Sequence, residues 1–194
     1  MSMATTASRL STRQALLGLL LALMSCAPAT TSYVHPGVDL SHIQRCAILP
    51  FQNLSQDGYA DERLHSLFLM SILREGSLQI IEPGAVIDAM ARQQIPAGAN
   101  LSPEQCIALG KELAVDGIFF GSVQEFGMAR DQRRQVSQVT ALFGLIETQT
   151  GVTVWRAQVH LDGSSLLRRL FGGESRSLHE VSKTAVDRAL RTLL

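Results

Sequence analysis

The sequence predicts an α/β domain with a mixed β-sheet, in the order β-α-β-α-α-β-β-β-α, and three observations carry that reading. Four stretches, at about 59–75, 83–94, 102–114 and 177–194, place apolar residues at helical spacing, the first three with start or stop signals at their ends. Two short apolar runs, 43–51 and 78–81, alternate with them as crossover connections require. The C-terminal half then changes to a period of two.

Taken in order, residues 27–40 (APATTSYVHPGVDL) hold Pro28, Pro36, Gly37 and several Ser/Thr with no period, which reads as a tether. Its 14 residues reach at most about 50 Å, so the domain must sit close to whatever holds its N-terminus. Residues 43–51 (IQRCAILPF) form an apolar run closed by Pro50, as a strand buried on both faces would. After a loop at 53–58, Leu64, Leu67, Phe68 and Ile72 mark a helix with Asp61 and Glu62 early, Arg74 late and Gly76 as its stop. Residues 78–81 are a short strand. Pro83 suits the first turn of the next helix, which Pro96 and Gly98 close off. Ser102, Pro103 and Gln105 have the spacing of a capping box with proline at the first helical position.

Val115-Asp116-Gly117 then leads into a strand at 117–124, followed by a short charged connection at 125–134 (EFGMARDQRR). Val139, Ala141, Phe143 and Leu145 line one face of a strand at 135–148. Thr150-Gly151 signals a hairpin into 152–161, where Trp155, Ala157, Val159 and Leu161 alternate with Arg156, Gln158 and His160. The last helix repeats Leu178, Val181, Ala185, Val186, Ala189 and Leu193 as a stripe that must lie on the sheet.

The chain has 194 residues, 46% of them hydrophobic, enough for one domain with a core. With 17 basic and 17 acidic residues and 5% aromatics there is no electrostatic footprint for nucleic acid. Residues 1–25 have the parts of a secretory signal: Arg9 and Arg13 in a Ser/Thr-rich start, an apolar run at 15–24, and small residues near its end. Removing them leaves 15 basic residues against 17 acidic, a slightly acidic mature chain. Leu23-Met24-Ser25-Cys26 resembles the bacterial lipobox, in which the Cys thiol becomes a thioether to diacylglycerol and the mature N-terminus. Cys26 is therefore the expected lipidation site, and several buried acyl chains at about 0.8 kcal/mol per CH₂ make such attachment effectively permanent. By the usual sorting rule, Ala27 rather than Asp after the Cys favours the outer membrane.

Cys46 and Cys106 lie in apolar elements, where free cysteine is commonly buried. A disulfide between them is the alternative that an oxidising periplasm allows. His35, His42, His65, His160 and His179 show no metal-ligand spacing, and no nucleotide or hydrolase motif is present. No cofactor or metal is expected, nor an enzyme.

The pieces 47–55 (AILPFQNLS), 80–82 (IIE), 115–123 (VDGIFFGSV) and 147–155 (ETQTGVTVW) follow one another in an order found in a known group. Over residues 43–194 the chain resembles the periplasmic domain of the curli-secretion lipoprotein family (CsgG) and its relatives, including the penicillin-binding-protein activator LpoB and the N-terminal domain of TolB. The resemblance implies an α/β domain in the cell envelope. In the curli channel each subunit gives two β-hairpins to a membrane barrel, and such strands need about 9–11 residues. Residues 125–134 are short and carry Arg130, Arg133 and Arg134. Residues 162–176 hold one apolar cluster, Leu166, Leu167, Leu170 and Phe171, broken by Arg168 and Arg169. Neither segment supplies a spanning hairpin, so the resemblance implies a soluble domain on a lipid anchor. LpoB-like activators use a long flexible segment to reach a synthase in the opposite membrane, and the tether here departs from that.

The function expected is that of an outer-membrane-anchored, periplasm-facing lipoprotein that binds other envelope proteins in a biogenesis or secretion assembly, with a homo-oligomer among the assemblies this permits. The alternatives are a ring-forming accessory subunit of an export channel and an LpoB-like activator of a peptidoglycan synthase. Candidate contacts with a membrane or partner are Arg130, Arg133 and Arg134, and Leu166, Leu167, Arg168, Arg169, Leu170 and Phe171, where apolar groups stand beside charges.

Overall fold

A computed structural model describes residues 30–36, 39–131, 134–163 and 176–194. Its mixed sheet has seven strands: β1 (Thr30–Val34), β2 (Arg45–Ile48), β3 (Gln52–Asn53), β4 (Gln79–Ile80), β5 (Gly117–Asp131), β6 (Arg134–Glu147) and β7 (Thr153–Asp162). Four α-helices pack on it: α1 (Ala60–Glu75), α2 (Pro83–Arg92), α3 (Pro103–Leu113) and α4 (Leu178–Leu190). The strand order is β1-β7-β6-β5-β2-β4, with β3 also beside β5. β2 runs parallel to β4 and β5, whereas the β5-β6-β7-β1 side is antiparallel. The expected α/β architecture and all nine expected elements are present.

From β2 the chain crosses through α1 to β4 on one side, then returns through α2 and α3 to β5 on the other. Right-handed crossovers in opposite directions put their helices on opposite faces of the sheet. Accordingly α1 joins α4 over one core, which includes Phe68, Phe119, Phe143 and Trp155. Val86 and Met90 of α2 and Leu109 of α3 close a second core with Ala47 and Ile118. Cys46 belongs to the first core, while Cys106 lies on α3, across the sheet. Both are buried and free, and burial pushes the Cys46 thiol up to about 12.

The helix ends follow their sequence signals. Gly76 ends α1 in the left-handed conformation, with φ of 69°. Ser102 with Gln105, and Ser177 with Glu180, form complete capping boxes on α3 and α4. Gly110 of α3 has another role, because a Cβ there would lie 2.3 Å from Thr148 Cβ. Thr148 is buried and its hydroxyl donates to the Val115 carbonyl at 2.6 Å, so it cannot step aside cheaply. A Gly110→Ala change should lower Tm: overpacking costs about 1–3 kcal/mol, against about 1 kcal/mol of helix propensity gained. Thermal unfolding followed by circular dichroism checks this, and an unchanged or higher Tm would refute the contact.

Besides the short β3, which begins in no expected element and includes the first residue of the expected loop, two segments differ from the sequence reading. Thr30–Val34, inside the stretch read as tether, is an edge strand paired antiparallel with β7 from Thr30–Val159 to Val34–Trp155. Of the charged connection at 125–134, residues 125–131 continue β5 and Arg134 opens β6, the two strands pairing as far as Asp131–Arg134. β7 leaves β6 after Gln138–Asp162, so the end of the hairpin projects beyond the sheet as a two-stranded prong.

Candidate binding groove

The chain leaves β2 through α1 towards one side and leaves its neighbour β4 through α2 and α3 towards the other, and in open α/β sheets ligands bind at such switch points, beyond the carboxyl ends of the strands. A groove of about 710 Å³ opens there between α1 and α2. Pro50 and Phe51, which follow β2, form its base. The Phe51 side chain is buried, with its ring edge-on to His65 of α1 at 5.2 Å. Asp61 lies one turn before His65 on the same helix face, and Glu62 extends the acidic rim. The opposite wall comes from α2, where Ile87 and Met90 face the groove, with Ile95 beyond the helix. Met90 is buried, whereas Ile87 is 54% exposed.

This lining suits apolar groups carried by something basic. His65 packs on Phe51 and is hydrogen-bonded to the Ile48 backbone. Burial holds its pKa below the ordinary 6.5, outweighing the Ile48 bond and the nearby Asp61 charge. As pH falls below about 6.5 the unfolded chain gains a proton at His65 that the folded chain refuses, so stability should decline from there towards the depressed folded pKa. Urea midpoints between pH 7.5 and 5 should show this decline, and His65→Gln should flatten it. A slope that the substitution leaves untouched would assign the effect to another group.

A second polar cluster lies on the sheet face turned away from the α1–α4 core, where Glu125, Thr140 and His160 stand opposite one another on β5, β6 and β7. The Thr140 hydroxyl donates to Glu125 and lies 2.7 Å from His160 Nδ1, while Gln138 Nε2 donates to the same carboxylate at 2.6 Å. The Thr140 bond, more than any other contact, holds the Glu125 carboxyl below the usual range. A hydroxyl that gives its proton to a carboxylate of lowered pKa is poorly arranged as a nucleophile. The cluster is instead a cross-strand ladder that ties three strands together. Among the described residues, no group of three or more His, Cys, Asp and Glu could hold a metal ion.

Of the residues singled out from sequence, Arg130 is exposed near the end of the prong and Arg134 is the first residue of β6. Cys26, Arg133, Leu166, Leu167, Arg168, Arg169, Leu170 and Phe171 lie outside the described residues. The structure does show where the segment carrying the last six leaves and returns: Arg176 N–H donates to the Gly163 carbonyl at 3.3 Å, and the Ser137 hydroxyl to the Arg176 carbonyl at 2.8 Å. Sequence reasoning missed the groove. Its available signal was Ile87, an apolar residue off the buried stripe of Val86, Ala89 and Met90.

No family model matches the sequence, and no curated protein matches it. Solved structures do share the fold. A PelC dodecamer from Paraburkholderia phytofirmans superposes with a TM-score of 0.58 at 14% identity, covering 85% of this chain and 98% of that one. Lipoprotein GNA1162 from Neisseria meningitidis gives 0.56 at 16% identity, over 77% of this chain and 99% of that one. The LpoB C-terminal domain from Salmonella enterica gives 0.48 at 10% identity, over 65% and 86%. At these identities the likeness is one of fold, a fold found in a bacterial lipoprotein.

Proposed function

We propose that this chain is an outer-membrane-anchored periplasmic lipoprotein of the CsgG-like group that acts without catalysis, by binding another envelope protein in a biogenesis or secretion assembly. The groove at the switch point carries this reading: its apolar walls and acidic rim fit a partner segment bearing apolar and basic side chains. Signal and lipobox supply the compartment and the anchor at Cys26. The test is a photo-crosslinking residue at Ile87, with another at Leu73, which is 51% exposed elsewhere on α1. Irradiated cells should yield one adduct from position 87, with an envelope protein identified by mass spectrometry, and Glu62→Lys should weaken it. No adduct, or the same adducts from both positions, would sink the reading.

A ring-forming accessory subunit is the second reading, favoured by the fold shared with a protein that forms a dodecamer and by the outer edge of β1, which pairs with no further strand among the described residues. Light scattering of the detergent-extracted protein should then give a discrete ring-sized mass, and a monomer would exclude it. An LpoB-like reach to the opposite membrane loses support from β1, which takes Thr30–Val34 out of the tether.

A further inference from the structure

The strand register fixes which end of the domain the N-terminus leaves from. Thr30, the first residue of β1, stands opposite Val159, which stands opposite Ala141 of β6. Cys26 precedes Thr30 by four residues, a reach of at most about 14 Å. From the level of Ala141, β6 runs on to Arg134 at the end of the prong, about 23 Å away at 3.3 Å per residue. In the other direction β6 runs to Glu147, about 20 Å away by the same measure, with the Thr150 turn beyond it. A lipid on Cys26 therefore cannot, with strands upright, bring the Thr150 end to a membrane surface, because the chain falls about 6 Å short even of Glu147. With strands upright, the prong reaches past Cys26 by about 9 Å, comparable to a headgroup layer, since headgroups add about 5–7 Å to each side of the hydrocarbon.

The prong's side chains suit that layer. Met128 is 54% exposed and Arg130 is exposed two residues further along the same face, while Phe126 is half-buried at the base with the Arg63 guanidinium over its ring at 5.9 Å. Glu125 and Asp131 are the acidic residues of β5 here, so the contact is amphipathic more than purely electrostatic. Gly163 and Arg176 hold both ends of the intervening segment against Ser137 at this same end.

Resting on the lipid anchor of the proposed function, we infer that the β5–β6 prong is a membrane-surface element: Met128 and Arg130 enter the phospholipid headgroup layer and hold the domain upright on its anchor. The test uses the full lipidated protein in vesicles of phosphatidylethanolamine and phosphatidylglycerol. A fluorophore is placed in turn at Met128→Cys, Val152→Cys and Tyr33→Cys, the buried Cys46 and Cys106 being inaccessible, and is quenched by headgroup-labelled lipid. Quenching at 128 should exceed that at 152 at least threefold and also exceed that at 33. Arg130→Glu should reduce it while the protein stays membrane-bound. Equal quenching at 128 and 152 overturns the inference, as does stronger quenching at 33, which would mean the domain lies on its β1 edge. The mass of the N-terminal fragment separates the two failures: a missing lipid on Cys26 removes the anchor and this inference together, whereas a lipid present with flat quenching removes this inference alone.

Discussion

Truncating Phe68 to alanine should destabilise the domain by about 3–5 kcal/mol, the usual cost of removing a fully buried aromatic side chain. Phe68 has no exposed surface and sits at the centre of the larger core. It stacks on Phe143 with centroids 5.1 Å apart and meets Phe119 and Phe51 edge-on at 5.4 and 5.6 Å. Phe68 thus ties α1 to the central strands through Phe119 and Phe143 and to the base of the groove through Phe51. The cavity would therefore open where α1, β5 and β6 converge, and little there can collapse to fill it. A domain of this size has about 5–15 kcal/mol in total, so the variant should unfold at markedly lower urea with an unchanged m-value. Leu73→Ala, on the exposed side of the same helix, should stay within about 0.5 kcal/mol. Equal shifts for the two variants would mean that α1 does not pack as described. Because Phe51 leans on Phe68 and also carries His65, Phe68→Ala should loosen the groove wall and weaken the crosslink from position 87 even where the protein remains folded.

The helices and central strands were legible in the sequence because burial on one face imposes a period, and because Ser102 and Gly76 mark ends with groups the backbone needs. The two missed stretches lack that signal for a physical reason. β1 is an edge strand whose residues are nearly all exposed, so it gains by backbone pairing with β7 while its side chains show no buried alternation. Its only trace was local propensity, in Thr30, Thr31, Tyr33 and Val34. The prong extends past the last β6–β7 pair, and a register shift between Val123 and Glu125 changes the phase of β5 just before it. The alternation of Phe119, Gly121 and Val123 therefore does not carry into Phe126, Met128 and Arg130. The groove was illegible for a third reason: it is made where two crossovers part, and its walls, 61–66 and 83–91, meet only through topology.

Replacing Cys26 with alanine should move the mature protein from the membrane fraction to the soluble periplasmic fraction almost completely. One acyl chain of myristoyl length gives only marginal, reversible binding, whereas two or more chains, at about 0.8 kcal/mol per CH₂, hold a protein indefinitely. The described part of the chain offers little to replace them: among the described residues no helix is long and apolar enough to cross a membrane, and the prong brings one exposed methionine and one arginine on a single face. Thermal unfolding should be unchanged, because Cys26 lies four residues before the first strand. That separates loss of anchoring from loss of fold. The mass of the N-terminal fragment must accompany the fractionation, since an uncleaved 1–25 segment would keep the variant on the membrane by its apolar run. If the wild-type fragment carries no lipid, or the cleaved variant stays membrane-bound, attachment does not come from Cys26. With the lipid present and the variant released, the three residues between anchor and sheet become the element that sets orientation, and lengthening them with a Gly/Ser insert should preserve attachment while reducing the quenching contrast between positions 128 and 152.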